Sequence, residues 1–322
     1  MTTLDGLRWK PKWTTQIGCL KGCLEYLGIE MSDAWLFGGT GHAFVINIHE
    51  QLCPSGPTAW KSHVIHELGR NLGYTTDHVW AHKSHEAFAE IQKRAWEATK
   101  QAINDGLPCY GWELDIPEYY VIHGYDETGY YFNGPLCDDG KGPKPWQDLG
   151  NTEIGWVEVH FVKPDEPSDD AVVVKKALEF AVEQSEDPDK WSHELYTMGL
   201  AAYDLWIEAI QNDKADGFGT AFNAVVWAEC REHARDFLAE AKGRLNGACT
   251  DLFDKAVRDY ETVAAGLRTV SDVFPFLNTT DEQKEKNVKD PIRCRTALEC
   301  LGKARNAEES GLQTLKKIAA EL

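Results

Sequence analysis

The chain has 322 residues, 43% of them apolar, with twelve Trp and a formal net charge of −19. That length can bury one large core or two of ordinary size. The charge argues against nucleic acid and anionic membrane surfaces as partners, since both need clustered Lys and Arg, which the sequence lacks.

No apolar run is long enough to span a bilayer. The opening stretch MTTLDGLRWKPKW lacks the apolar core of a signal peptide, so a cytoplasmic protein is the expectation. Nine Cys, an odd count with no CxxC, read as free and mostly buried thiols rather than a disulfide framework.

Residues 1–163 mix helical and strand patterns. QIGCLKGCLEYLGI places Cys19, Leu20, Cys23, Leu24 and Leu27 on one helical face, and Gly28 can end that helix. A glycine turn at Gly38, Gly39 and Gly41 then leads into an expected strand, Ala43 to Ile48. SHVIHELGRNLGY reads as a short helix, and Trp80–Ser84 as a loop entering a longer one. That longer helix is expected to be capped at Ser84 and stopped at Gly106. LPCYGWELD is a strand, EYYVIHGYD and YYFNGP form a hairpin around ETG, and EIGWVEVHFV is a further strand.

KPDEPSDD, residues 163–170, marks the boundary: prolines and acids with no apolar residue. From Ala171 to Leu322 five segments show helical spacing and predict a helical bundle. Its Tyr203, Trp206 and Trp227 suit a core, and the bundle is a candidate lid or homodimer surface.

Phosphate-binding and metal chemistry find weak support. GGTGHAF precedes a strand instead of opening a helix, so no phosphate cradle and no cofactor is expected. His63, His66 and Glu67, followed by His78, His82 and His85, are rich in metal ligands. Their spacing departs from the zinc-peptidase pattern, which needs two His at i, i+4 with the Glu between them. A nucleophile elbow, GxSxG, is absent.

The remaining pattern is a helix, further helices, then a hairpin rich in polar side chains. The stretches CLEYLGIEMSDAWLFGG, INDGLPCYGWELD and YYVIHGYDETGYYFNGP resemble the N-terminal domain of the butirosin-biosynthesis acyltransferase family (butirosin H). They resemble the papain-like bacteriocin-processing cysteine peptidases more distantly. The resemblance covers about the first 160 residues and implies an α/β (α+β) papain-like domain, 1–163, followed by an all-α domain, 171–322. It also implies acyl transfer or amide cleavage on a small molecule or peptide.

Carried over by position, the family's nucleophilic Cys falls on Thr15, counted back from Gly28. Its catalytic His falls on Glu118, counted back from Gly124-Tyr125-Asp126. Its Asp-Pro falls on Gly134-Pro135, with Asn133 beside them. All three positions depart from the family's residues. Cys19, one turn beyond Thr15, is an alternative nucleophile, with Gln16 as an oxyanion-hole donor. His123 alternates to the strand face opposite Glu118 and is left out of the site.

Three readings follow. The first is an enzyme of altered chemistry using Thr15 or Cys19, Glu118 as acid/base and Asn133 as orienting group. The second is an inactive relative that binds a ligand or partner, and the third a metal site in the His-rich 63–85 stretch.

Overall fold

A computed structural model describes residues 1–322. In chain order the elements begin with β1 (Thr2–Thr3), α1 (Thr15–Tyr26), α2 (Asp33–Gly39), β2 (Asn47–His49), α3 (Val64–Gly69), β3 (Tyr74–His82) and α4 (Phe88–Asn104). Then come β4 (Cys109–Trp112), β5 (Tyr119–Tyr125), β6 (Gly129–Asn133), β7 (Lys141–Pro145) and β8 (Trp156–Pro164). The C-terminal part carries α5 (Asp170–Glu186), α6 (Pro188–Trp191), β9 (Tyr196–Met198), α7 (Leu200–Gln211), α8 (Gly217–Arg244), α9 (Thr250–Val273), α10 (Asp281–Asn287) and α11 (Pro291–Glu321).

The chain is mixed α/β with an antiparallel sheet and a C-terminal helical region. It divides into two units: Met1–Met31 with Gly73–Pro167, and Ser32–Leu72 with Ser168–Leu322. The break at Pro167/Ser168 falls inside the proline- and acid-rich stretch. Residues 32–72, expected in the first domain, group with the helices instead.

The first unit is built on one sheet of order β3-β8-β4-β5-β6-β7, with β1 paired to β5. Toward its β7 edge lies the hairpin of β5 and β6. The Asp126 carboxylate accepts the Thr128 and Gly129 amides and the Tyr131 hydroxyl, so the Asp of the GYD stretch is what closes the turn. α4 packs Trp96 edge-on against Tyr130, at 5.0 Å between ring centres. Its chain reverses at Gly106, whose φ of +75° suits glycine. α1 covers the sheet face that carries Tyr110 and Tyr119, whose hydroxyls lie near its Cys19.

In the second unit, α8, α9 and α11 enclose a core of Trp206, Trp227, Phe237, Tyr260, Leu301 and Leu315. The five expected long helices are present, joined by two short ones and by β9. The stretch expected to run as a strand from Ala43 to Ile48 is instead a single helical turn, His42–Phe44, followed by β2. The reason lies in its carbonyls. The Arg231 guanidinium takes those of Ala43 and Val45, at 2.9 and 2.7 Å, and Gln184 takes that of Phe44 at 3.2 Å, which bends this backbone away from a continuous ladder.

Two expectations in the first unit also need correction. Trp80, Ala81 and His82, expected in a loop with Lys83 and Ser84, lie instead in β3, paired residue for residue with β8. The hydroxyl of Ser84 is bonded to the His82 ring at 2.7 Å, so α4 starts later, at Phe88.

Candidate active site

α1 begins at Thr15, with Thr14 in extended backbone as its N-cap and no acidic residue in its first turn. The N-terminus of a helix favours negative charge. Here that charge comes from across the unit: Glu118, the last residue before β5, reaches the start of α1. The Thr15 hydroxyl donates to Glu118 Oε2 at 2.5 Å and accepts the Tyr119 amide at 3.1 Å. The two positions matched by counting along the sequence are therefore in direct contact.

Burial pushes the Glu118 carboxyl up to about 7, against the opposing pull of the Thr15 hydrogen bond. A carboxyl tuned to that range can exchange a proton near neutrality, which an ordinary exposed Glu cannot do efficiently.

The other proposed members are placed differently. Cys19 is wholly buried. Burial, with Cys23 and Glu118 adding to it, pushes its thiol well above the usual range, so it is no thiolate nucleophile. Gln16 is also buried, near Tyr110, and its Nε2 has no hydrogen-bond partner within the protein.

Asn133 does not orient Glu118. Its Oδ1 accepts the Trp9 amide at 2.7 Å and its Nδ2 reaches the Leu7 carbonyl at 3.4 Å, which clamps the N-terminal segment. That segment lies so close to α1 that a Cβ at Gly22 would fall 2.0 Å from the Arg8 carbonyl oxygen. Gly18 and Gly22 are thus needed for close approach.

His123 stands apart from Thr15 and Glu118, but strand alternation is not the cause. α1 covers the Tyr119 face, and Glu118 meets Thr15 because it precedes the strand. A bulge between Ile122 and Gly124 then re-aims His123. Its ring lies 3.4 Å from where a Gly140 Cβ would be. Burial first, then nearby Arg8, lowers its proton affinity.

The His-rich 63–85 stretch does not assemble a metal centre. His63 and His66 belong to one unit and His78, His82 and His85 to the other, and no three His, Cys, Asp or Glu side chains converge as ligands. His63 stacks on Trp191 at 5.4 Å, and His82 bonds Ser84 and the Ile154 carbonyl.

A second polar group was missed in the sequence. Glu158 Oε1 accepts the Tyr119 hydroxyl at 2.9 Å and His160 Nε2 at 2.6 Å. His160 stacks on Tyr110 at 4.7 Å. Burial alone would raise the Glu158 carboxyl. The His160 contact, Tyr119 and His78 outweigh it and hold the group below its ordinary value, hence ionised. The signal was available: in WVEVHF, period-two alternation sets Trp156, Glu158 and His160 on one face. Tyr119 joins the two groups, its amide on Thr15 and its hydroxyl on Glu158.

No protein-family model matches the chain, and no curated protein sequence matches it. No helix is long and apolar enough to cross a membrane.

Proposed function

We propose that the first unit is a papain-like domain, related to the butirosin H type, in which a hydroxyl–carboxylate pair replaces the cysteine–histidine pair. Its reaction is acyl transfer or amide cleavage on a small molecule or peptide. The observation that carries the reading is the 2.5 Å contact between the Thr15 hydroxyl and the Glu118 carboxyl, which burial pushes up to about 7. In this mechanism Thr15 Oγ1 attacks the acyl carbon while its proton passes to Glu118 Oε2. The leaving amine or alcohol then takes that proton from Glu118, and Thr15 carries the acyl group as an ester. Water or an acceptor hydroxyl or amine attacks the ester, again with Glu118 as base, and Thr15 is restored.

The test uses p-nitrophenyl acetate as acyl donor, with peptide mapping of the folded protein. Acetyl should appear on Thr15, at a rate that rises as pH passes through about 7. It should be absent from Thr15→Val and Glu118→Gln. Unlabelled Thr15 in the wild type, or labelling unchanged by Glu118→Gln, overturns the enzyme reading.

A second reading is a non-catalytic, ligand-binding relative. It is favoured by the 6% exposure of Thr15, whose hydroxyl has both a donor and an acceptor partner within the protein. An unlabelled Thr15 leaves this reading standing.

A further inference from the structure

The sheet face beside the candidate site continues to the molecular surface. β3 and β8 pair antiparallel with His82 opposite Trp156, Trp80 opposite Glu158 and His78 opposite His160. All six side chains therefore project from one face. Directly opposed residues have their Cβ atoms about 5 Å apart, so the Trp80 ring and the Glu158 carboxylate are immediate neighbours.

Two features of this face do not look like core. Trp80 is 55% exposed and Trp156 36% exposed, although tryptophans are usually covered. Their ring centres are 5.7 Å apart and inclined at 45°, and the His82 ring stands 4.9 Å from Trp156 at 58°. The tilted rings form an open aromatic corner.

The second feature is the carboxylate at the base of that corner. Oε1 of Glu158 is held by Tyr119 and His160, and Oε2 takes no hydrogen bond from the protein. On the same face Trp112 packs edge-on against Tyr119 at 5.0 Å, and its buried indole N–H has no acceptor.

Nearby cations are directed elsewhere. The Lys83 ammonium caps the Thr152 and Glu153 carbonyls at 2.6 and 2.8 Å. Burial and His160 lower the proton affinity of His78, which stays uncharged at neutrality. The face thus offers electron-rich rings beside a carboxylate whose Oε1 is paired with His160 and Tyr119 and whose Oε2 takes no hydrogen bond from the protein.

We propose that this face binds a quaternary alkylammonium group, with Trp80 and Trp156 supplying ring faces and Glu158 the counter-charge. A quaternary ammonium has no N–H to satisfy and loses little hydration on meeting aromatic rings, which is the chemistry such corners recognise. The assignment goes beyond acyl transfer and does not require Thr15 to react. Tyr119, whose amide meets Thr15 and whose hydroxyl meets Glu158, links this face to the Thr15–Glu118 pair.

The test is calorimetric titration of the full chain with choline and with its neutral carbon analogue, in which a tert-butyl group replaces trimethylammonium. Choline should bind, and the analogue should bind roughly tenfold more weakly or not at all. Trp80→Leu and Glu158→Gln should each weaken choline roughly fivefold or more, and Thr15→Val should leave it unchanged. Trp80 is exposed enough that its replacement leaves folding intact. The proposal is overturned if choline gives no binding heat, if the neutral analogue binds equally well, or if Trp80→Leu binds as the wild type does. Because Thr15 lies outside the aromatic corner, loss of acylation in Thr15→Val with choline binding retained separates this site from the enzymatic reading.

Discussion

Glu308 in the helical unit and Glu118 in the sheet unit are both carboxylates drawn into protein, and their surroundings differ in kind. Glu308 is 2% exposed and faces a fully buried Arg231 at 2.7 Å. It also accepts the Tyr203 hydroxyl at 2.7 Å and the Tyr260 hydroxyl at 3.3 Å. Burial draws the Arg231 proton affinity down, but Glu308 and the two tyrosines overcome that and raise it, so the guanidinium stays charged. Glu118 has one hydroxyl and no cation among the groups that shift it, and it titrates near neutrality. Arg231 Nη2 finds no acceptor, yet the charge faces its counter-charge directly, and a buried charge so paired is architecture. One left able to gain or lose a proton is a candidate for chemistry.

The largest expected effect tests the first half of that contrast. Glu308→Ala leaves Arg231 charged, buried and unpaired, and should cost about 3–5 kcal/mol in urea unfolding. The double variant Arg231→Met, Glu308→Leu should recover only part of that loss: it removes the unpaired charge, but the Ala43 and Val45 carbonyls and the Tyr203 hydroxyl lose their partners. A cost of Glu308→Ala below about 1 kcal/mol would mean that the network does not hold the helices, and the contrast would collapse from that side.

The second prediction tests Glu118. Its folded-state value of about 7 lies above the ordinary 4.5, so the folded protein binds more protons than the unfolded chain between those values. Its contribution is fully present below the unfolded value and is lost as pH rises through the folded one. Stability should therefore fall across that window by on the order of 2–3 kcal/mol, measured as the urea midpoint against pH. Glu118→Gln should flatten this part of the profile. A wild-type profile that is level or rising there would place Glu118 with the ordinary carboxylates.

How far such a site can be read in advance depends on what fixes each contact. The Thr15–Glu118 meeting was legible because both ends are tied to punctuation visible in the chain: Gly28, which ends α1, and the Asp126 turn, which sets the hairpin. Asn133 shows the limit. Its place at the end of β6 was correctly located, but its partners are backbone groups of Leu7 and Trp9, and no side-chain pattern announces a main-chain clamp. The path of residues 42–46 was hidden for a similar reason. An apolar, alternating run reads as strand, while its backbone is set by Arg231, whose effect is tertiary. The membership of residues 32–72 in the helical unit follows from packing across long sequence separations, as between Trp35 and Phe237, 5.2 Å apart.

The smallest expected effect is the most discriminating. Thr15→Val keeps the branched shape and removes the hydroxyl. Two groups lose a partner: the Tyr119 amide and Glu118 Oε2. Losing a single hydrogen-bonding hydroxyl of this kind should cost about 1–2 kcal/mol. The hydrogen bond from Thr15 is what restrains the upward shift of Glu118. Its removal should therefore move the carboxyl's titration to higher pH, read by carbon-detected NMR of labelled Glu. Stability and titration should respond together. If the titration does not move, the 2.5 Å contact does not persist in solution, and the proton-transfer geometry on which Thr15 chemistry depends is lost with it. If it moves upward while the fold is kept, Thr15 and Glu118 are coupled as nucleophile and base must be, whichever acyl group they serve.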